Sequence, residues 1–429
     1  MGEPRALGAP SIVFLNRFYW PDVAATGQML NDLAEDLAAD GWSVTVITSA
    51  AAYGGRGTPL PRSEVRRGVR IHRVGGTRFG RHGLPGRVLD YASYLGGALL
   101  QLLLVGRRDF VVAMSDPPFL NALPILTRWR TGARSVYWVQ DLFPEIAGRL
   151  GVLDPRGMVY RVAGTVARAL HRRCDLVIAL GPRMARALVA AGAPRERTTF
   201  VDNWADASAI RPVAPEANAF LAEQGLRGRF VVLYSGNAGR AHVFEAVMRA
   251  ADLLRGEPAI VFLFIGGGQR IPELKATVAR ERLPNVRFLD YLPREQLSGS
   301  LSAASVSLVT EDPEVEGLLV PSKTYGILAS GRPILFVGSP RSDVARIVEE
   351  SDCGVIADPG DGATLARVIL SLRADPGALA RMGGNARQAA EGRYDRRLAT
   401  RRWGLAVREL LAKDRTAPVA ERPAAERKS

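Results

Sequence analysis

Two groups close together in this chain have the residue types for chemistry: Glu316-Gly317 and, four residues further on, Pro321-Ser322-Lys323-Thr324. A carboxylate at Glu316 can accept hydrogen bonds from hydroxyl groups. Pro321-Ser322-Lys323 reads as a helix start, and the helix closes at Gly331 before Arg332-Pro333 leads into an apolar strand. Pro just inside a start and Gly just past an end is the expected polarity of helix signals. Free N–H groups at such a start form an anion site, and Lys323 adds a point charge in the first turn. A carboxylate beside a phosphate-binding helix start suits a ligand with hydroxyls at one end and phosphates at the other, which describes a sugar nucleotide. The plainer alternative is an ordinary loop–helix–strand unit.

These residues need a frame to hold them. Short apolar runs alternate with helical stretches throughout, the βαβ pattern of parallel sheets, so the fold class is α/β. The first half offers strands at 11–16, 43–48, 69–74, 110–114, 134–139 and 175–180, with helices such as 28–40, closed by Gly41, and 156–173. The second half offers strands at 230–235, 260–265, 286–288, 306–310, 334–337 and 355–358. At 429 residues the chain is too long for one compact core. Pro, Ala and Ser gather at 206–215 as a linker. The expected division is a lobe at 10–205, a lobe at 206–394, a last helix at 396–412 bearing Trp403, Leu405, Leu410 and Leu411, and a disordered tail at 413–429.

The candidate loops each follow a predicted strand, at the carboxyl edge where open α/β sheets take ligands. In the first half, Arg17-Phe18-Tyr19-Trp20 precedes Gly27 at the mouth of a helix, where glycine lets a backbone approach a phosphate or sugar closely. The three aromatics can flank a sugar, with at least one of them in the core. Ser115-Asp116-Pro117-Pro118 and Gln140-Asp141-Leu142-Phe143-Pro144-Glu145 follow later strands; Asp141 is either a cleft residue or the N-cap of the next helix. In the second half, Gly236-Asn237-Ala238-Gly239-Arg240-Ala241-His242 and Gly266-Gly267-Gly268 follow two strands, and both also fit plain turns.

Composition narrows the partners. Hydrophobic content of 47% and charged content of 23% are those of a soluble globular protein. No secretory leader is expected, since 1–10 is polar and Gly/Pro-rich, and a cytoplasmic location follows. Only Cys174 and Cys353 occur, far apart, so neither a disulfide framework nor a zinc site is indicated. The net charge is +14, and of 57 basic residues all but Lys275, Lys323, Lys413 and Lys428 are arginine. No nucleic-acid motif accompanies the charge, so an anionic membrane surface is the favoured partner and nucleic acid is not. The apolar run 96–105 has Arg78, Arg81, His82 and Arg87 before it and Arg107-Arg108 after it. It reads as too short to span a bilayer. The helix around it, 86–106, is either buried in its lobe or laid in the membrane interface. Asp-x-Asp metal loops are not evident, and Glu311-Asp312-Pro313-Glu314 is a poor substitute, so no metal and no cofactor are expected.

Taken together, Glu-Gly, Pro-Ser-Lys and Gly-Arg-Pro between Glu311 and Pro333 resemble the donor-binding signature of the family 4 glycosyltransferases. The variant Pro-Ser-Lys-Thr-Tyr-Gly-Ile-Leu-Ala-Ser-Gly-Arg-Pro is similar to the branch that builds bacterial surface polysaccharides, including colanic acid and O-antigen N-acetylfucosamine transferases. The resemblance implies a GT-B fold: two Rossmann-like lobes with parallel sheets facing across a cleft, and a C-terminal helix crossing back to the N-terminal lobe. It implies retaining transfer of a sugar from a nucleoside diphosphate, UDP being the expected one, to a polyprenyl-diphosphate-linked or saccharide acceptor without a metal.

The same resemblance assigns roles. Glu316 and Gly317 touch the transferred sugar, Gly27 lies beneath sugar and diphosphate, and Asp141 falls where relatives carry a cleft His or Asp. The usual diphosphate Arg and Lys positions read Asn237 and His242 in the Gly236 loop, with Arg240 or Lys323 able to substitute. Gly267 lines the donor site, and 287–292, with Tyr291, is the segment that pairs with the base. Asn203-Trp204-Ala205-Asp206 joins the lobes, and the usual ribose-binding Glu falls at Gly326. Diphosphate departure would be aided by Lys323, Arg240, His242 and helix N-termini. Two rivals stand beside this reading: a sugar-nucleotide 2-epimerase, which needs more acidic and His groups than four histidines supply, and an exported two-lobed binding protein.

Overall fold

The computed structural model describes residues 9–22, 24–50, 60–77 and 84–416. Arg78, Arg81, His82 and the tail beyond 416 lie outside the described residues, as does the side chain of Arg87. Two open sheets form the frame. The first runs β3-β4-β2-β1-β5-β6-β7-β8. It comprises β1 (Ser11–Leu15), β2 (Ser43–Ser49), β3 (Ser63–Arg66), β4 (Val69–Val74), β5 (Phe110–Met114), β6 (Arg134–Trp138), β7 (Leu176–Ala179) and β8 (Thr198–Phe200). The second runs β11-β10-β9-β12-β13-β14. Its strands are β9 (Phe230–Ser235), β10 (Ile260–Ile265), β11 (Val286–Leu289), β12 (Val306–Thr310), β13 (Ile334–Val337) and β14 (Gly354–Ala357).

Every pairing is parallel except β3 with β4. The predicted strands read as unbroken apolar runs because helices cover both faces of a parallel sheet. Sequence reasoning missed β3 and β8. Ser-Glu-Val-Arg in β3 is a short, charged and mostly exposed edge, the kind that discourages further pairing. The three residues of β8 are too few for a pattern.

The helices that bear on the site are α1 (Ala25–Ala39), α2 (Leu84–Val105), α3 (Ala122–Leu126), α4 (Arg128–Thr131), α5 (Met158–Arg173), α6 (Pro182–Ala190), α7 (Lys323–Ala329), α8 (Asp343–Ser351) and α9 (Arg396–Thr416). Three expectations are corrected. Helix α7 begins at Lys323, so Pro321 stands before the helix and Ser322 at its cap. Helix α2 has 22 residues, more than the apolar run suggested and enough by length to cross a bilayer, yet Tyr94, Ala98 and Leu102 pack into the lobe and the Tyr94 hydroxyl donates to the Ile47 carbonyl at 3.1 Å. Residues 413–416, expected in the tail, continue α9.

Helix α9 lies on the first lobe, as the fold implies. Trp403 is fully buried 5.6 Å from the Phe14 ring and 5.7 Å from that of Trp138, which itself stacks on Trp204 at 5.9 Å. Arg396 pairs with Asp32 at 2.9 Å and Asp36 at 2.6 Å on α1. Tyr19 is the core member of the aromatic trio, while Trp20 is partly exposed under the Arg66 guanidinium.

In each sheet the strand order reverses beside the first strand of the lobe. Crossovers leave β1 toward β2 and later return to β5; in the second lobe they leave β9 toward β10 and return to β12. A crevice opens at such a switch point, outside the carboxyl ends of the strands. The loops there begin at Asn16 and Ser115 in one lobe, and at Gly236 and Glu311 in the other.

Candidate active site

The second crevice gathers the donor candidates. The loops after β9 and β12 are tied together: the Asp312 N–H donates to the Ala241 carbonyl at 2.9 Å. His242 Nδ1 lies 2.6 Å from the Thr310 carbonyl. A carbonyl only accepts, so Nδ1 carries the proton and Nε2 keeps its lone pair. Burial, followed by the neighbouring Lys323 charge, pushes the imidazole pKa down to about 3, so His242 is neutral at pH 7.

Lys323 comes in from α7. Its Nζ sits 3.6 Å from the Tyr234 ring centroid, and its Cε would be 3.5 Å from a Cβ added at Gly236. The ammonium is closed off from solvent and, among the described residues, has no hydrogen-bond partner. Burial alone pushes its pKa well below the ordinary lysine value. The neighbouring Thr324 hydroxyl is likewise buried without a partner. A buried ammonium facing a ring and a glycine is costly unless an anion arrives to meet it.

Around this pair the other loops take up position. Gly266 has φ +126° and a Cβ there would lie 2.4 Å from the Gly236 carbonyl oxygen, so the β9 and β10 loops touch only because it is glycine. The exposed Tyr291 ring lies over Gly266 and Gly267, 3.2 Å and 3.0 Å from the positions their Cβ atoms would take. Asn237 is exposed, and its carbonyl accepts from the Tyr234 hydroxyl at 3.0 Å. Arg240 is exposed and donates from Nε to Gln269 at 3.0 Å.

Glu316 follows a short 3-10 turn, and Gly317 is left-handed at φ +72°. One Glu316 oxygen accepts from the Ser339 hydroxyl and from Arg341 Nε at 3.4 Å. Sequence reasoning missed Ser339, although it lies just past β13 at the ligand edge. It also missed Glu311, the first residue after β12. Glu311 is buried with one oxygen unpartnered, and burial, then Asp343, Glu316 and Asp312, raise it far above the usual carboxylate range. At Gly326 a Cβ would meet Leu301 and Ile210, so that spot is apolar and no carboxylate takes the place of the family's ribose-binding Glu.

Across the cleft, the β6 loop reaches the donor lobe. The Leu142 N–H donates to the Leu318 carbonyl at 2.8 Å, and Asp141 bridges to Leu319. The N-cap alternative for Asp141 fails, because the next helix, Glu145–Arg149, has Pro144 at its cap position. The Asp141 N–H donates to Ser115 Oγ at 3.1 Å, and its side chain is exposed to the cleft. Loss of hydration beside the facing lobe, and then the nearby Asp116, raise its pKa to about 6. Gly27 is buried in the first turn of α1, where a Cβ would stand 3.2 Å from the Phe18 backbone; close packing is the contact visible there. No group of three or more His, Cys, Asp or Glu side chains able to hold a metal occurs among the described residues.

Two facing Rossmann-like lobes, a C-terminal helix returning to the first, and a cleft with an unmet cation on one side define a GT-B glycosyltransferase. Residues 25–204 match the model of the glycosyl transferase 4-like domain, and residues 229–375 match that of the group 1 glycosyl transferases. The chain belongs to the family 4 glycosyltransferases and is an enzyme of that kind.

Among its relatives, the probable glycosyltransferase WbjE of Pseudomonas aeruginosa is 28% identical over 72% of this chain and 76% of its own length. The putative colanic acid biosynthesis glycosyl transferase WcaI of Escherichia coli K12 is 25% identical over 77% of this chain and 84% of its own. The crystal structure of Anabaena HepE in complex with UDP-glucose superposes with a TM-score of 0.70 at 18% identity, covering 94% of this chain and 99% of that one. The epimerase and binding-protein alternatives give way to the transferase.

Proposed function

We propose that this enzyme moves a sugar from a nucleoside diphosphate, most simply UDP, to a polyprenyl-diphosphate-linked or saccharide acceptor in bacterial surface polysaccharide synthesis, with retention of configuration. The observation that carries the donor half is the buried Lys323 ammonium, which lacks a protein partner beside Gly236 and His242. A diphosphate entering there meets Lys323 directly. His242 takes up a proton on Nε2 and becomes a second donor. Fixed donors around a developing pyrophosphate charge are usually the largest catalytic term.

The flat Tyr291 ring over the glycine loop suits a stacked base. Glu316, with Ser339 and Arg341 at one oxygen, keeps its other oxygen for sugar hydroxyls. Asp141, from the opposite lobe, faces the acceptor. The colanic acid relative and the UDP-glucose complex of the structural neighbour support the substrate class. The chain's own residues supply this chemistry without calling on a metal.

The test is a panel of nucleoside-diphosphate sugars with lipid-linked acceptors, followed by diphosphate release and product anomeric configuration. Glu316→Gln should cut turnover at least tenfold with the preferred donor while leaving the melting temperature unchanged. Near-normal transfer by that variant removes Glu316 from the sugar site.

A further inference from the structure

One side of the first sheet is covered by helices that expose apolar side chains among arginines. Tyr94, Ala98 and Leu102 of α2 share a buried cluster with Leu123 of α3 and Ala113 of β5. Ala113 is in register with Tyr137, on which His171 of α5 stacks at 5.5 Å, so α2, α3 and α5 lie on the same side of the sheet. Helix α4 bridges α2 and α3, and α3 touches α5. Helices α1 and α9 cover the opposite side.

Outward from this layer project Leu100 and Leu104 of α2, Leu126 of α3, Trp129 of α4, and Met158 and Val162 of α5. Leu104, Trp129 and Met158 are each more than three-quarters exposed. The α2 stripe alone, from Val88 to Leu104 at every fourth residue, runs about 24 Å at the usual helical rise. Large apolar side chains gathered in the open on one layer of a protein mark an interaction surface.

The charges within this face are of one sign. Arg130, Arg161 and Arg172 are exposed on α4 and α5. Helices α3, α4 and α5 contain no Asp or Glu, and the single carboxylate of α2, Asp90, is buried. Asp175 at the border is engaged by Arg128 and Arg134. A second copy of this face would bring arginine against arginine. An anionic lipid headgroup layer over hydrocarbon meets both features: guanidinium groups reach headgroups, a Trp ring sits at the interface, and aliphatic side chains enter the acyl boundary.

We propose that the outer face of α2, α3, α4 and α5 docks the enzyme on an anionic bilayer. The face continues to the catalytic cleft: at the N-terminal end of α2, Asp90 lies 3.8 Å from Arg17 and the Tyr91 ring lies 5.1 Å from the Arg17 guanidinium, in the loop after β1. Docking therefore sets the cleft mouth beside the lipid surface. This extends the lipid-linked-acceptor reading above but is tested without any acceptor.

Full-length protein is floated with vesicles of phosphatidylcholine alone or mixed with phosphatidylglycerol, at low and high salt. The expected result is binding to the anionic vesicles only, weakened by salt. Trp129→Ser and Val162→Glu, on helices away from the cleft, and Leu100→Glu should each lower the bound fraction about tenfold. UDP binding by calorimetry should be unchanged in all three. Wild type that stays off anionic vesicles, or variants that float like wild type, overturn the docking face while retained UDP binding keeps the donor reading intact. Equal binding to neutral vesicles overturns the choice of an anionic surface. A wild-type dimer in sedimentation that these substitutions dissociate shows the face to be an interface between copies instead.

Discussion

Lys323 concentrates the chemistry of the donor side into one atom. Its Nζ has burial, a ring and a neutral imidazole for company, and no anion. Losing a charge-assisted contact costs about 1.5–3 kcal/mol, so Lys323→Ala should bind UDP roughly ten- to a hundredfold more weakly. Because the His242 pKa is pushed down to about 3, UDP binding that makes Nε2 a donor should take up a proton near pH 7. The calorimetric heat will then vary with buffer ionisation enthalpy, and that variation should vanish in His242→Asn. Wild-type affinity in the alanine variant would mean that the diphosphate is held elsewhere.

Asp141 gives the acceptor side its own signature. With its pKa raised to about 6 by lost hydration and by Asp116, a reaction that needs the carboxylate falls as pH drops through about 6. Asp116→Asn removes the like charge and should move that acid limb to lower pH, whereas Asp141→Asn should abolish it with most of the activity. A limb unmoved by Asp116→Asn in the pH–rate profile would separate Asp141 from the titration. In stability the sign is reversed: the folded state holds this proton more tightly, so the contribution is full in acid and is lost as pH rises through about 6.

At the scale of elements, α9 is the strap that makes two lobes one protein. Trp403 fills the space between Phe14 and Trp138, and Arg396 clamps α1 through Asp32 and Asp36. Truncating a buried Trp typically costs about 3–5 kcal/mol, so Trp403→Ala should lower urea stability by about that amount. Leu405, on the same helix but half-exposed, should change it by no more than about 0.5 kcal/mol as Leu405→Ala. Equal effects at the two positions would mean that α9 is held by something other than its buried face.

For the whole molecule, the decisive contact is the lobe junction. The Asp343 carboxylate, from α8 of the second lobe, accepts from the N–H groups of Arg183 at 3.2 Å and Met184 at 3.1 Å in the first turn of α6. It takes the place of an N-cap that Gly181, lacking a side chain, does not supply. Arg346 beside it pairs with the buried Asp202 of the first lobe. Asp343→Ala strips two N–H groups of their acceptor and leaves Arg346 with one partner fewer, a loss of about 1–3 kcal/mol. Gly181→Val pushes the Asp343 carboxyl out of this cap, since a Cβ there would stand 2.4 Å from its carboxyl carbon. A larger radius of gyration by small-angle scattering and a lower melting temperature are expected for both; unchanged values would show that the lobes are held by other contacts.

The sequence alone determined what depends on near neighbours. β5, β9, β10, β12 and β13 begin and end where their mostly apolar runs do, and β4 where Val69 and Ile71 alternate with polar residues, because such a pattern is a local property. The Glu316, Lys323 and Gly-Arg-Pro signature was equally legible, and it named the family before any contact was known. Other features rested on residues brought together from far apart. The tertiary fold decided that Lys323 is sealed against Tyr234 and Gly236, that Asp141 meets Leu319 across the cleft rather than capping a helix, and that Asp343 caps a helix 160 positions away. It also decided that α2 packs Tyr94, Ala98 and Leu102 into the lobe while Leu100 and Leu104 stay exposed. A residue's type states what it can bond; burial, charge and reach are set by whatever the rest of the chain folds against it.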